Sequence, residues 1–318
     1  MIEHWKQSSA KVTGLSHADD NIECQDATFY LLQNGVHCIA LADGAGSKTH
    51  SKLGAEAVTQ KICHLMTNNF YDYLYLLEEI GVDDKVVSAN HAELKQTLIE
   101  AIVKELNAIS VNENISINDL ASTLMFYAFK DEYYIMGHIG DGVIAHMYNK
   151  RDANVLEVLS HPENGDQPNI TFFITDTDAF NHLRIKGGNK GNINGVLLMS
   201  DGPESLLYSP KLGIHLSAEK VLFQTFHGVL EDKHQLFMEK FLKEQVSKHS
   251  SDDLSLNILY KEEIDHHGLS KEYKSYLFNK IKSKEQLVSV SQYATRILPY
   301  THDMKIDFHS IKAVEDYL

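Results

Sequence analysis

Three apolar runs in this chain, CIALA, YYIMGHIG and VLLMS, each break off at an Asp-Gly dipeptide: Asp43-Gly44, Asp141-Gly142 and Asp201-Gly202. Short apolar runs closed by a turn pair read as buried strands. One Asp-Gly alone is ordinary turn chemistry. Three of them, with an acidic pair Asp252-Asp253 directly before the apolar LSLNILY, describe a fold whose strand ends carry carboxylates that can converge from distant parts of the chain. Converging carboxylates, with glycines that let backbone carbonyls approach, are what magnesium and manganese require, because these hard cations take oxygen ligands.

The remaining pattern places those strands mainly in hairpins. ATFYLLQNGVHCIALADG has two apolar runs around Asn34-Gly35, a strong hairpin signal. From Ser51 to about Phe70 the apolar residues Leu53, Ala57, Val58, Ile62, Leu65 and Met66 share a helix face. Residues 92–110 repeat the pattern with Leu94, Leu98, Ile99, Ile102, Val103, Leu106 and Ile109; residues 71–91 fit either a helix extension or a loop. STLMFYAFKDEYYIMGHIGDGVIAHMYN predicts two strands turning at Lys130–Glu132 and a third after Asp141-Gly142. NVLEVLS and ITFFIT read as strands and HLRIKGGNKGNINGVLLMSDG as a hairpin. Helices near 217–229 and 234–248 precede a last strand at 254–260. The class is α+β, mainly antiparallel sheet covered by helices. Residues 1–260 are expected to form one domain, and 261–318, of mixed charge with helical patches, a C-terminal appendage.

Composition excludes some partners. Asp and Glu number 44 against 29 Lys and Arg, a net charge of −15, which is wrong for nucleic acid and for anionic lipid. The N-terminus has no apolar signal core, and no apolar stretch approaches the ~20 residues of a membrane span. Cys24, Cys38 and Cys63 have no paired spacing, which suits free thiols in a reducing, cytoplasmic setting. The glycine-rich LADGAGSKTH is no nucleotide loop: Ser47 precedes Lys48 where a phosphate loop needs glycine, and Thr49 falls where a dinucleotide fingerprint needs its third glycine. The 18 histidines show no zinc spacing, and FYDYLYLL at 70–77 reads as core or helix contact.

Six segments, in order, resemble the motifs of the metal-dependent protein phosphatases, the type 2C serine/threonine family. They are GLSHADDNIECQDA (14–27, in the Cys-Gln-Asp-Ala form of some bacterial members), LADGAGSKTHSKLGAEAV, ASTLMFYAF, GHIGDGVIAH, LLMSDGPESLL and SSDDLSLNIL. The resemblance implies a four-layer α-β-β-α sandwich of two mainly antiparallel sheets flanked by helices, with a metal cleft at one edge. It implies two Mg²⁺ or Mn²⁺ ions bridged by an attacking water, and a third, weaker ion. By motif, Asp43 would bridge the metals, Gly44 would offer its carbonyl, Asp201 and Asp252 would complete one metal, and Asp141 would help hold the third. Asp26 would orient metal-bound water, with Gln25 and Asp253 in support. The implied substrate is a phosphoprotein, with a serine/threonine kinase or its targets as partners.

Three positions depart from the family's pattern. Gln25 stands where animal members have an acidic ligand, Asn21 where they have a phosphate-holding arginine, and Ala45 where some have a histidine. His17, Lys48 or His50 are candidate replacements on the phosphate side, beside Asn21 itself. A weakly active module that binds phosphoproteins as a scaffold is the alternative that these departures leave open.

Overall fold

Asn34 and Gly35 both take positive φ, 56° and 74°. This turn geometry matches the right-handed twist of paired strands, and it joins β2 (Ala27–Gln33) to β3 (Val36–Ala42) in register from Ala27↔Ala42 to Gln33↔Val36. The computed structural model describes residues 5–77, 84–150, 153–163, 171–211, 213–214 and 234–261. Among these, β4 (Leu124–Lys130), β5 (Tyr133–Ile139) and β8 (Arg184–Asn189) extend the first sheet in the order β2-β3-β4-β5-β8. The second sheet has the order β1-β12-β9-β6-β7, built from β1 (Trp5–Val12), β6 (Val143–Lys150), β7 (Ala153–Ser160), β9 (Ile193–Met199) and β12 (Leu254–Lys261). Every pairing is antiparallel. A two-stranded ribbon, β10 (Tyr208–Ser209) and β11 (Gly213–Ile214), stands apart.

The period-two alternation of a strand distributes its residues over three apolar layers. Ile39 and Leu41 of β3, with Met125, Tyr127 and Phe129 of β4, meet Ile144, Val196, Leu198 and Leu259 between the sheets. Their neighbours Cys38, Ala40, Leu124, Phe126 and Ala128 face outward onto α2 (Ser51–Tyr75) and α3 (Asp84–Glu113), which bury Val58, Ile62 and Met66 and Leu94, Leu98, Ile102 and Leu106. On the second sheet Leu254, Leu256 and Ile258 meet Met238 and Leu242 of α6 (His234–Glu244). Three apolar interfaces need four layers, so the expected α-β-β-α sandwich is the observed one. The short helices are α1 (Leu15–Asp19), α4 (Ala179–His182) and α5 (Glu204–Leu207). All three cysteines are free and buried.

Some local expectations differ from the structure. Residues 71–75 continue α2, and 84–91 begin α3. β8 and β9 are no hairpin: β8 is an edge strand of the first sheet and β9 lies inside the second. The link between them crosses from sheet to sheet, held by Lys190, whose N–H donates to the Glu132 carbonyl (2.8 Å) and whose ammonium lies over the Trp5 and Phe129 rings. The described part of ITFFIT is turn and irregular chain, with its Ile174 N–H donated to the Ser122 carbonyl rather than to a ladder. The expected helix at 217–229 lies outside the described residues, as does the appendage expected at 261–318 apart from Lys261, which ends β12.

Asn257 ties the two sheets together. From β12 its side chain donates to the carbonyls of Phe29 (3.1 Å) and Ala40 (2.9 Å), which pair across β2 and β3, and it accepts from Gln7 Nε2 (2.8 Å). It is fully buried, so removing it deletes two inter-sheet hydrogen bonds and leaves Gln7 Nε2 without this acceptor. Asn257→Leu is expected to lower the unfolding free energy by about 1–3 kcal/mol, read as a lower urea midpoint at unchanged slope.

Candidate active site

The ends of four strands supply the site. Asp43 follows β3, Asp141 follows Gly140 at the end of β5, Asp201 follows Ser200 at the end of β9, and Asp252-Asp253 lead into β12. Asp26 directly precedes β2. The loop after β3 is zipped onto the segment before β4. The Asp43 N–H donates to Thr123 Oγ1 (2.9 Å), the Thr123 N–H donates to the Asp43 carbonyl (2.8 Å), Gly44 bridges Ser122, and the Ala45 N–H reaches the Ala121 carbonyl (3.0 Å). Asp43 therefore projects from a backbone fixed on both sides.

The carboxyl groups converge. Asp43, Asp201 and Asp26 lie close enough that each feels the charge of the others. Burial first, then the neighbouring carboxylates, raise all of them: Asp26 to about 7, Asp141 to about 7, Asp201 to about 6, and Asp43 well above the usual carboxylate range. Asp252 is exposed and adds its charge to each of these groups.

Asp253 has a different task. Its carboxylate, 2% exposed, accepts the N–H groups of Gly14 (2.7 Å) and Gln25 (2.6 Å), and so clasps the N-terminal motif to the start of β12. His17 Nδ1 lies 3.0 Å from the same carboxylate, off the line of a well-formed hydrogen bond. Nε2 of that ring faces Gly46, where a Cβ would stand 3.5 Å away. The clasp requires bare backbone at two points. A Cβ on Gly202 would stand 1.9 Å from the Asp253 carbonyl oxygen, and one on Gly14 would stand 2.3 Å from the Asp252 carbonyl carbon.

The other expected residues fall around this centre. Gln25 Nε2 donates to the Lys48 carbonyl (3.1 Å), while its Oε1 is buried with no partner. Lys48 and His50 are half-buried on the loop before α2. Asn21 is exposed in a left-handed turn (φ 57°), with its side chain in solvent. Two residues absent from the sequence reading also position the site. Thr123 is the second hydroxyl of the Ser-Thr strand, where the type of residue was visible but its task was not. Arg184 donates to the carbonyls of Gly140 (3.1 Å) and His161 and meets Glu163 (3.3 Å), which fixes the turn that carries Asp141. No sequence signal marks Arg184, because its partners are backbone carbonyls.

The donor set fits hard divalent cations. Both oxygens of Asp26, Asp201 Oδ1 and Gln25 Oε1 are buried acceptors with no hydrogen-bond partner, a costly arrangement unless a cation or its water meets them. Among the described residues no three His, Cys, Asp or Glu side chains stand as a finished ligand sphere.

The profile of the family described as "Protein phosphatase 2C" matches residues 13–247. The chain belongs to the protein phosphatase 2C family. Asp252 and Asp253 stand just past the matched range. Serine/threonine-protein phosphatase 3 of Escherichia coli (strain K12) is 26% identical over 209 residues, covering 64% of this chain and 75% of that protein. Among solved structures, a bacterial serine phosphatase variant superposes with a TM-score of 0.56 at 16% identity over 82% of this chain and 99% of its own. Serine-threonine phosphatase 2C from Toxoplasma gondii gives 0.54 at 12% identity, with the same coverage of both chains. These structural likenesses show the shared fold. Among the described residues no helix is long and apolar enough to cross a membrane.

The raised carboxyls make the stability of this 2C phosphatase depend on pH. A carboxyl whose folded pKa lies above its unfolded value favours the fold fully below about pH 4, and that contribution is lost as pH rises through about 6–7. In EDTA the melting temperature is therefore expected to fall by several degrees between pH 5 and pH 8. Saturating Mn²⁺ is expected to flatten or reverse the slope, as read by differential scanning fluorimetry.

Proposed function

We propose that this 2C phosphatase hydrolyses phosphoserine and phosphothreonine in proteins by direct attack of water on phosphorus. The observation that carries this reading is the convergence of Asp43, Asp141, Asp201 and Asp252 around buried acceptors that lack partners. Two Mg²⁺ or Mn²⁺ ions, and a third more weakly, would supply charge for the phosphoryl oxygens and acidify the water between them.

The chain's own residues divide the remaining work. Asp43, from its zipped loop, the Gly44 carbonyl, Asp201 and Asp252 would hold these cations, with Asp141 helping to hold the weaker one. Asp26, buried near Asp43 with both oxygens unpartnered, would accept a hydrogen bond from the attacking water and orient it. Gln25, tethered to the Lys48 carbonyl, can offer only a neutral oxygen where an acid stands in animal members. His17, held against Asp253, takes the phosphate side left without an arginine at Asn21. The natural partner is a phosphoprotein, a serine/threonine kinase or one of its targets, in the cytoplasm. Residues 1–260 carry the catalysis, with 261–318 as a separate appendage.

Hydrolysis of p-nitrophenyl phosphate and of a phosphothreonine peptide tests this reading. Activity is expected with Mn²⁺, none with EDTA, and a loss of about a hundredfold or more in Asp43→Asn. Equal rates in the three conditions would contradict it, and peptide binding without turnover would favour a scaffold. For His17→Gln we expect a severalfold higher KM with a smaller change in kcat; an unchanged KM would remove His17 from the phosphate side.

A further inference from the structure

A cleft of about 330 Å³ opens beside the carboxylate centre, lined by His161 and Pro162 after β7 and by Glu204, Tyr208 and Pro210 after Asp201. Glu204 is rigidly connected to that centre, since its N–H donates to the Asp201 carbonyl at 2.7 Å. Elsewhere in the wall the Tyr208 hydroxyl and His161 Nδ1 meet at 2.8 Å, and the two prolines bring no N–H donors. Among the described residues no cation pairs with Glu204. A free carboxylate between a phenol ring and proline rings matches a long aliphatic stem that ends in a cation.

We propose that this cleft is a specificity subsite that takes a lysine or arginine side chain of the phosphoprotein, close in sequence to the residue being dephosphorylated. Successive residues of an extended peptide advance by ~3.3 Å, so a side chain about two residues from the phosphorylated one reaches a cleft this near Asp201. The chain would thus prefer basic surroundings to acidic ones although its own reaction centre binds an anion. The inference rests on the phosphatase reading and deepens it.

The test compares labelled phosphothreonine peptides that differ only in carrying Lys or Glu at the second residue on either side of the phosphothreonine. Each is measured on the full chain with Mn²⁺, by turnover and by fluorescence anisotropy. The Lys peptide is expected to exceed the Glu peptide by about tenfold in kcat/KM and in affinity. Glu204→Gln is expected to bring that ratio close to one, and Glu204→Lys to invert it. The ratio is read within each protein, so a general loss of activity in a variant cancels. Equal values for the two peptides on the wild type, or a Lys preference that survives Glu204→Gln, would overturn the subsite. p-Nitrophenyl phosphate has no side chain to place there. Its failure to turn over with Mn²⁺ would count against the phosphatase reading, while peptide anisotropy still reports on the cleft.

Discussion

Repulsion among carboxyl groups governs the end of the sandwich where the sheets deliver Asp26, Asp43, Asp141, Asp201 and Asp252. Folding places these groups together whether or not anything neutralises them, because each is fixed by the strand it terminates. Protons are the simplest neutralising agents, and the raised pKa of Asp26, Asp43, Asp141 and Asp201 is the sign of that demand. Divalent cations are better ones, since they satisfy several acceptors at once and leave coordination positions for water and phosphate. The fold thus stores unfavourable electrostatics that metal binding releases, and the same arrangement lets an acidic protein handle an anionic substrate.

Two further devices make that convergence possible. Asn257 locks β12 to β2 and β3, so that the strand starting after Asp252 keeps a fixed offset from the strand ending at Asp43. Asp253 then draws Gly14 and Gln25 onto the start of β12 through their N–H groups. One neighbour of this acidic pair faces the centre and the other fastens the chain. His17 Nδ1 lies 3.0 Å from the same Asp253 carboxylate, so this ring is gathered into the fastening as well.

Much of this was legible in the sequence because it rests on local rules. Asn34-Gly35 announced its hairpin, the faces of α2 and α3 followed from their spacing, and Asp43, Asp141 and Asp201 were visible as strand-ending acids. The sheet membership of β8 and β9 was not legible, because two strands joined by a short glycine-rich link look alike whether they pair or part. What separates them is a tertiary contact, Lys190 on Trp5 and Phe129. Arg184 and Glu204 were hidden for a related reason: one acts on backbone carbonyls and the other through a cleft assembled from two distant segments. Thr123 lay in a recognised motif, but a hydroxyl that accepts the Asp43 N–H cannot be told in sequence from one that faces solvent.

The central claim is that cations replace protons on the converged carboxyls. Calorimetric titration of Mn²⁺ into metal-free protein, repeated in buffers of different ionisation enthalpy, counts the protons released on binding. Carboxyls held at about 6 to 7, and Asp43 above them, predict clear proton release at pH 6 that diminishes by pH 8. Mn²⁺ binding with no proton release at pH 6, or no binding at all, would contradict the account.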